Sequence, residues 1–415
     1  MNTFISAILK IANSIIKKKN KTIMFVPHWN CKTDKYDILN WESDNVLCVL
    51  RYMLHDEKFS GYTFFIVYHN ETKIKEYQTF VSGITDRKVV FVILKAVPFI
   101  KHFIRARTIL TDTAHVLPRY KSKRQILLCL GYYTPFKDDF GFINQFSWRE
   151  QKSFFKLSNR IIDYYITTSD ISSRILSCDF LLLYSHLRSL GAPRNDVFFK
   201  EDNSIVNDLS NVMNINIKHI ILYTPTYRDY ELENKTKQNR SIFGNVDEGW
   251  ESKLNHYLEK KNTILIAKLH PLQEKSIIKK KENTNIVYYS DLISIVDINL
   301  YRLLAVSDCL ITDYTSTSFD YMHKDSPIIY YFYDYDKYVE TRNFSVTPIF
   351  PLCGGEVVYT SDDLLNSIVS VLNGKDDYSY ERGRIHKLIN RYSDGHDTER
   401  VVNFIFDVSK IEIKR

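Results

Sequence analysis

At 415 residues the chain is too long for one compact core and suits two domains. With 44% hydrophobic and 25% charged residues it can bury a core, and with 12 Gly and 10 Pro it is neither collagen-like nor linker-dominated. The net charge of +7 suits either a phosphate-rich partner or a Lys-rich solvated surface. No zinc-finger, basic-zipper or RNA-binding signature accompanies it, so nucleic acid is not expected.

The N-terminus carries Phe4, Ile5, Ile8, Leu9, Ile11, Ala12, Ile15 and Ile16 at helical spacing, followed by Lys17, Lys18, Lys19 and Lys21. A signal peptide has its charges before the apolar run, and no stretch reaches the about 18 apolar residues of a membrane span. Two readings stay open: a helix over residues 1–21 lying on an anionic membrane, with its lysines among the headgroups, or a helix packed on the protein's own core. Strand-like runs follow at Thr22–Val26, Thr63–Tyr68, Val89–Leu94, Thr108–Leu110, Gln125–Leu130 and Tyr164–Thr167, with helical patterns at Val46–Leu54 and Ser173–Leu190. A polar segment, Lys200–Asn216, precedes a second series of strands: His219–Tyr223, Thr263–Leu269, Asn285–Tyr289, Cys309–Ile311 and Pro327–Tyr331. Helices are expected near Gly249–Lys260 and Ile298–Ala305, and two or three more from about Asp362. Such alternation predicts two α/β, Rossmann-like domains, residues 22–200 and 201–380, with crossing helices at 381–415. By analogy the two domains would face each other as in GT-B glycosyltransferases. The six cysteines, Cys31, Cys48, Cys129, Cys178, Cys309 and Cys353, form no Cys-x-x-Cys pair and read as buried thiols of a reduced, cytosolic protein.

In open parallel sheets ligands bind beyond the carboxyl ends of the strands, so the residues just after each strand carry the chemistry. Thr315-Ser316-Thr317-Ser318 lies between a strand and an apparent helix, Phe319–His323. Four hydroxyl residues at a helix start make a phosphate cradle, where ordinary capping needs only one. His270, after its strand, reads as a general base, a phosphate donor or a structural residue. Arg228 and Arg194, each near a turn proline, read as forks for phosphate oxygens or as surface ion pairs. Asp334-Tyr335-Asp336 resembles a metal-binding Asp-x-Asp of another fold and is read as surface carboxylates; no metal site is assigned.

These residues together resemble the CDP-glycerol glycerophosphotransferases, enzymes that prime and polymerise teichoic acids and related capsule polymers. The matches run in order from about Ile104 to Phe406: Asp163 to Asp170, Gly191-Ala192-Pro193-Arg194-Asn195-Asp196, Leu222 to Asp229, Leu269-His270-Pro271, Ile311 to Tyr321, Tyr333-Asp334 with Tyr338, and Asp394-Gly395 with Glu399-Arg400. The resemblance implies a CDP-glycerol site built from Arg194, Pro225, Thr226, Lys268, Leu269, His270, Thr315, Ser316 and Asp320, with Arg228 beside them. It also implies a signature over Gly131, Tyr132, Tyr133, Thr134 and Pro135, where the family's histidine is replaced by Tyr132. A phenol is a poor base at neutral pH, so His270 is expected to titrate in catalysis rather than Tyr132.

The implied reaction moves glycerol phosphate from CDP-glycerol to a hydroxyl of a polyprenyl-linked glycan at the cytoplasmic face of the membrane, releasing CMP. No cofactor is required by this reading, and a divalent metal is left open. CDP-ribitol or nucleotide-sugar transfer on the same fold, and a catalytically impaired membrane scaffold, are the alternatives.

Overall fold

The computed structural model describes residues 3–27, 44–112, 120–131, 147–202, 204–228, 241–244, 246–274, 284–341 and 344–410. They form two compact units: the first from the chain up to residue 197 together with 389–410, the second from 198–388.

In the first unit seven described strands form one parallel sheet: β1 (Thr22–Val26), β2 (Thr63–Tyr68), β3 (Lys88–Ile93), β4 (Thr108–Thr111), β5 (Ile126–Cys129), β6 (Tyr164–Thr167) and β7 (Leu187–Ser189). Their order is β3-β2-β1-β4-β5-β6-β7. Runs such as Thr-Ile-Met-Phe-Val in β1 are apolar at successive positions because helices cover both faces of the sheet. One face packs on helix Asn45–His55, which buries Val46, Leu50 and Met53, and on helix Asp397–Lys410, which buries Val401, Val402 and Ile405. Asp44 caps the former, accepting from Val46 N at 2.7 Å and Leu47 N at 3.1 Å.

The second unit repeats the plan with six described strands: β8 (His219–Thr224), β9 (Thr263–Ala267), β10 (Ile286–Tyr288), β11 (Cys309–Thr312), β12 (Ile328–Tyr331) and β13 (Glu356–Val358). The order β10-β9-β8-β11-β12-β13 reverses direction between β8 and β11, as the first sheet does between β1 and β4. All the strand pairs are parallel, for example Leu310 beside Leu222 and Ile328. Both are doubly wound α/β sheets, and each has one topological switch point.

Three stretches depart from the sequence expectation. The helical pattern Ser173–Leu190 holds only over Asp170–Asp179; Leu181 turns left-handed (φ 50°) and the chain continues into β7, pairing Arg188 with Ile166. Polar-looking 200–216 contains a helix, Ser204–Met213, anchored by Ile205 and Leu209. At the N-terminus, helix Thr3–Ile15 is shorter than expected, and Lys18 is no headgroup lysine. It is buried, and its Nζ donates to the carbonyls of Asn13 and Ile104, each at 2.6 Å. Burial first, and Arg124 second, lower its pKa to about 8. Asn13, fully buried, donates to Tyr120 O (2.7 Å) and Gln125 Oε1 (2.8 Å), which fixes the helix to the first unit. Of the described cysteines, Cys178 is exposed rather than buried.

Asp397 gives the first unit a pH signature. An unfolded aspartate ionises near 3.8; burial first, and Asp196 second, push this one up to about 7, against bonds from Arg400 and Ala192 N. Asp394, His396 and Glu399 stand on the same turn. Between those pH values the folded chain keeps a proton that the unfolded chain has lost, so the contribution of Asp397 to stability falls as pH rises from about 4 to about 7. Asp397→Asn removes that slope. In urea unfolding, the wild-type stability minus that of the variant should decline across this window; a constant difference would contradict the assignment.

Candidate active site

The site is built where β8, β11 and β12 end, beside the switch point of the second sheet. Thr224 closes β8 and Thr312 closes β11, and their side chains lie against each other (Thr224 Oγ1 to Thr312 Oγ1, 3.2 Å). Asp313, the next residue, is buried and gathers the loop after β8: it accepts from Thr226 N (2.8 and 2.9 Å) and from Thr226 Oγ1 (2.6 Å). Its own loop is folded back on it through Tyr314 N, at 2.6 Å.

Arg228 sits beneath this loop with a side chain fully excluded from solvent. Its Nη1 donates to Asp313 Oδ2 (2.6 Å) and to the Thr226 carbonyl, while Nε and Nη2 grip Asp334 at 2.7 and 2.9 Å. Tyr314 OH donates to the same Asp334 carboxylate at 3.1 Å. The rings of Tyr333 and Tyr314 lie 4.9 and 5.6 Å from the guanidinium carbon. Burial alone would favour the neutral guanidine, but the Asp313, Tyr333 and Asp334 contacts raise its pKa well above the ordinary value. Arg228 is therefore no open fork for phosphate, as the sequence suggested: both edges of its fork are filled by carboxylates. Asp334, expected on the surface, is the second half of this buried pairing; Asp336, two residues on, is exposed.

The hydroxyl run follows directly. Thr315, Ser316 and Thr317 are half-buried and Ser318 is buried, donating to the Thr315 carbonyl at 3.0 Å. The helix begins at Thr317 and runs to Tyr321. Ser316 precedes it in helical geometry, and its hydroxyl makes no capping bond. Thr315 Oγ1 accepts from Thr317 N at 3.3 Å and lies 3.1 Å from Thr317 Oγ1, so Thr315 and Ser318 both help close the turn, with Thr315, Ser316 and Thr317 half-buried at the end of β11. Asp320, on the same helix, is buried and accepts from Tyr301 OH at 2.7 Å.

Beyond β9, Lys268 continues the ladder through its N–H to Tyr223 O (2.8 Å), Leu269 is buried, and His270 is half-buried. The ring of Tyr227 packs on the imidazole with 4.3 Å between centroids. The His270 carbonyl accepts from Gln273 N and Glu274 N at 2.9 and 3.0 Å, opening the short helix Pro271–Glu274. Pro225, Thr226, Lys268, Leu269, His270, Thr315, Ser316 and Asp320 therefore all lie on segments that follow β8, β9 and β11. Among the described residues no group of three or more His, Cys, Asp or Glu side chains is arranged to hold a metal.

Two expected site residues belong to the first unit. Gly131 follows β5, where an added Cβ would stand 1.7 Å from the Asp112 carbonyl oxygen, so no other residue fits without moving backbone. Arg194 is half-buried on the 3-10 helix Pro193–Phe199 that follows β7, its N–H bonded to Asn45 Oδ1 at 3.1 Å. Tyr132, Tyr133, Thr134 and Pro135 lie outside the described residues. Sequence reasoning missed the positioning partners Tyr227, Asp313, Tyr301 and Asp334. Asp313 and Asp334 stood inside quoted motifs, and their pairing to one buried arginine was the signal available.

Two doubly wound parallel sheets, with hydroxyls, a lysine and a histidine at the strand ends of the second, place polar groups where open α/β sheets take ligands. The profile of the CDP-glycerol:poly(glycerophosphate) glycerophosphotransferase family matches residues 12–407, and the chain belongs to this family. It is a glycerophosphotransferase-like enzyme of the teichoic acid type. It is 28% identical over 307 residues to the teichoic acid glycerol-phosphate primase of Bacillus subtilis (strain 168), covering 72% of this chain and 73% of the primase. It is also 28% identical to the teichoic acid ribitol-phosphate polymerase TarK of Staphylococcus aureus, spanning 52% of this chain but 40% of TarK. The wall teichoic acid polymerase TagF has the same fold, with a TM-score of 0.74 at 19% identity over 99% of this chain and 94% of that one. No described helix is long and apolar enough to cross a membrane.

Removing one partner of a buried ion pair strands the other, at a cost of about 3–5 kcal/mol. Asp334→Ala should lower unfolding free energy on that scale, because Arg228 keeps Asp313 and the Thr226 carbonyl but loses both bonds to Asp334. Arg228→Lys should cost nearly as much, since an ammonium cannot fork between two carboxylates. Denaturant midpoints unchanged in both variants would remove this pairing from the account.

Proposed function

We propose that the chain transfers glycerol phosphate from CDP-glycerol to a hydroxyl of a lipid-linked glycan and releases CMP. The supporting observation is the half-buried Thr315–Ser316 pair at the end of β11, on a loop held by the Asp313–Arg228 anchor; hydroxyls at such a strand end suit a phosphate. TagF has been solved with CDPG soaked into a variant, which favours the same donor for this relative. The acceptor hydroxyl attacks the phosphorus nearest the glycerol in line with the departing CMP oxygen. Its proton leaves to a base as the P–O bond forms, and the P–O bond to CMP breaks. Such a step is governed by positioning and charge stabilisation. Thr315, Ser316 and Lys268 hold the pyrophosphate, Thr226 and Pro225 shape the donor pocket, and Asp320 accepts from a donor hydroxyl. His270, steadied by Tyr227, is the acid–base group. No cofactor is invoked.

Replacing Thr315 and Ser316 together by Ala should weaken CDP-glycerol binding several-fold or more, each charge-assisted hydrogen bond being worth about 1.5–3 kcal/mol. His270→Ala should lower CMP release by roughly a hundredfold, the scale of a general acid–base group, while Tyr132→Phe costs little. Unchanged donor affinity in the folded double variant would remove the cradle. A dead Tyr132→Phe beside an active His270→Ala would move the proton transfer to Tyr132.

The lipid-linked acceptor requires the enzyme at the cytoplasmic membrane face, and we propose that helix Thr3–Ile15 contacts the bilayer there. Ile8, Ile11 and Ile15, at helical spacing, are 50%, 61% and 72% exposed, while Lys10, Lys17 and Lys19 are exposed around them. Deleting the helix would strip Asn13 and Lys18 from their buried partners, so Ile8, Ile11 and Ile15 should instead be changed to Ser. The variant should stay folded and cease to sediment with anionic vesicles; wild-type protein that ignores such vesicles at low salt would contradict this reading.

A further inference from the structure

Alternate residues of each strand in the first sheet face opposite ways, so Ile23, Phe25 and Ile66 join one core cluster and Met24, Val26 and Val67 the other. Helices Asn45–His55, Ile74–Ser82 and Asp397–Lys410 cover the first face. Helices Thr3–Ile15, Ala96–Phe103 and Trp148–Ile161 cover the second, through Leu9, through Phe99 and Phe103, and through Leu157 and Ile161. The two layers differ in what they show to solvent. The first three helices carry four cations and four acids and, among the described residues, expose one large apolar side chain, Tyr52. The second three carry six cations against one acid, Glu150, and expose Ile8, Ile11, Ile15, Val97, Trp148 and Phe155. A fourth helix on that side, Asp170–Asp179, has an acid at each end and exposes no large apolar side chain among the described residues.

Helix Trp148–Ile161 carries most of this asymmetry. Its one acid is taken up in a capping box, Glu150 accepting from Ser147 N and Ser147 Oγ at 2.8 and 2.7 Å. Trp148 is 74% exposed and Phe155, two turns on, is 39% exposed. Lys152 stands between them on the outward side, with Arg149 and Lys156 beside it, all exposed. Apolar residues scattered singly over a surface need no partner. A stripe of aromatics rimmed by cations matches an anionic bilayer, where an indole sits among the headgroups and lysine stems run along the apolar surface to reach them. A soluble polyanion would meet the cations but leave the indole and the isoleucines of the same layer in water.

We infer that helix Trp148–Ile161 is a second bilayer contact, so that the first unit lies on an anionic membrane through one helical layer and not through its first helix alone. The inference deepens the reading of helix Thr3–Ile15 and rests on the chain working at a membrane surface.

Sedimentation of the full chain with vesicles of phosphatidylcholine and phosphatidylglycerol at low salt tests it, with thermal unfolding in parallel. Lys152→Gln with Lys156→Gln should weaken binding roughly fivefold for each cation removed. Trp148→Ser with Phe155→Ser should weaken it about tenfold or more, since binding follows the apolar area buried. Unfolding temperatures should stay at the wild-type value, because all four side chains are exposed. Brominated acyl chains should quench the fluorescence of the wild type and quench Trp148→Phe, which still binds, markedly less. If changing Ile8, Ile11 and Ile15 to Ser abolishes binding while both helix variants bind as the wild type does, the contact is confined to the first helix and the inference is overturned with that reading intact. Binding that survives the isoleucine changes, and is lost when Trp148→Ser and Phe155→Ser are added, would support this helix and remove the first. Retention on heparin without affinity for anionic vesicles would assign the cations to a soluble polyanion and overturn the inference.

Discussion

One buried guanidinium organises the candidate site. Arg228 follows β8, Asp313 follows β11 and Asp334 follows β12, three strands adjacent in the sheet. Two carboxylates facing one arginine leave a net negative anchor, tolerable because Thr226 and Tyr314 donate backbone N–H groups to Asp313 and the Tyr314 hydroxyl donates to Asp334. The geometry of the three loops is therefore coupled. Thr226 cannot shift without Asp313, and Thr315 and Ser316 begin two residues beyond it. A buried ion group of this kind adds little net stability, since desolvation offsets most of the attraction. Its value here is a single allowed arrangement of the strand-end loops, which would suit the proposed pyrophosphate site.

The first unit uses the same means with different groups. Gly131 after β5 admits no side chain beside the Asp112 carbonyl, and the segment carrying Arg194 is clasped through Asp196 by the turn at Asp397 and Thr398. In both units side chains bonded to backbone fix loops at the carboxyl ends of parallel strands, and the apolar strands beneath provide the rigid base. The sheets account for the stability, and the loops are constrained by hydrogen bonds that apolar packing could not direct.

The strands were readable because a parallel sheet covered on both faces needs unbroken apolar runs, and β1, β8 and β11 show them. β7, Leu-Arg-Ser, was not readable: three residues carry no period, and only pairing with β6 makes them a strand. The hydroxyl run and His270 stood out because their residue types and strand-end positions both spoke for chemistry. Arg228 was misjudged for a physical reason. Sequence shows that a cation is present but not how deeply it lies, and a phosphate fork and a buried ion-pair centre share the same residue. Lys18 failed likewise, one lysine of a basic cluster having turned inward to Asn13. The contacts between Asp196 and Thr398 lay beyond reach, since nothing local marks two residues separated by two hundred positions as partners.

Tyr132, read from the sequence as standing where the family has a histidine, bears most on the proposed function, because every other residue of the proposed donor site is of a type the chemistry uses. On the proposed function the chain turns over CDP-glycerol despite Tyr132. The direct measurement is nucleotide release by the full chain, supplied with membranes carrying lipid-linked glycan and offered CDP-glycerol, CDP-ribitol or UDP-sugars in turn. Nucleotide release from CDP-glycerol should stand well above that from the other donors. CDP-glycerol bound tightly without any CMP released, or UDP released from a sugar nucleotide while CDP-glycerol is left intact, would contradict it.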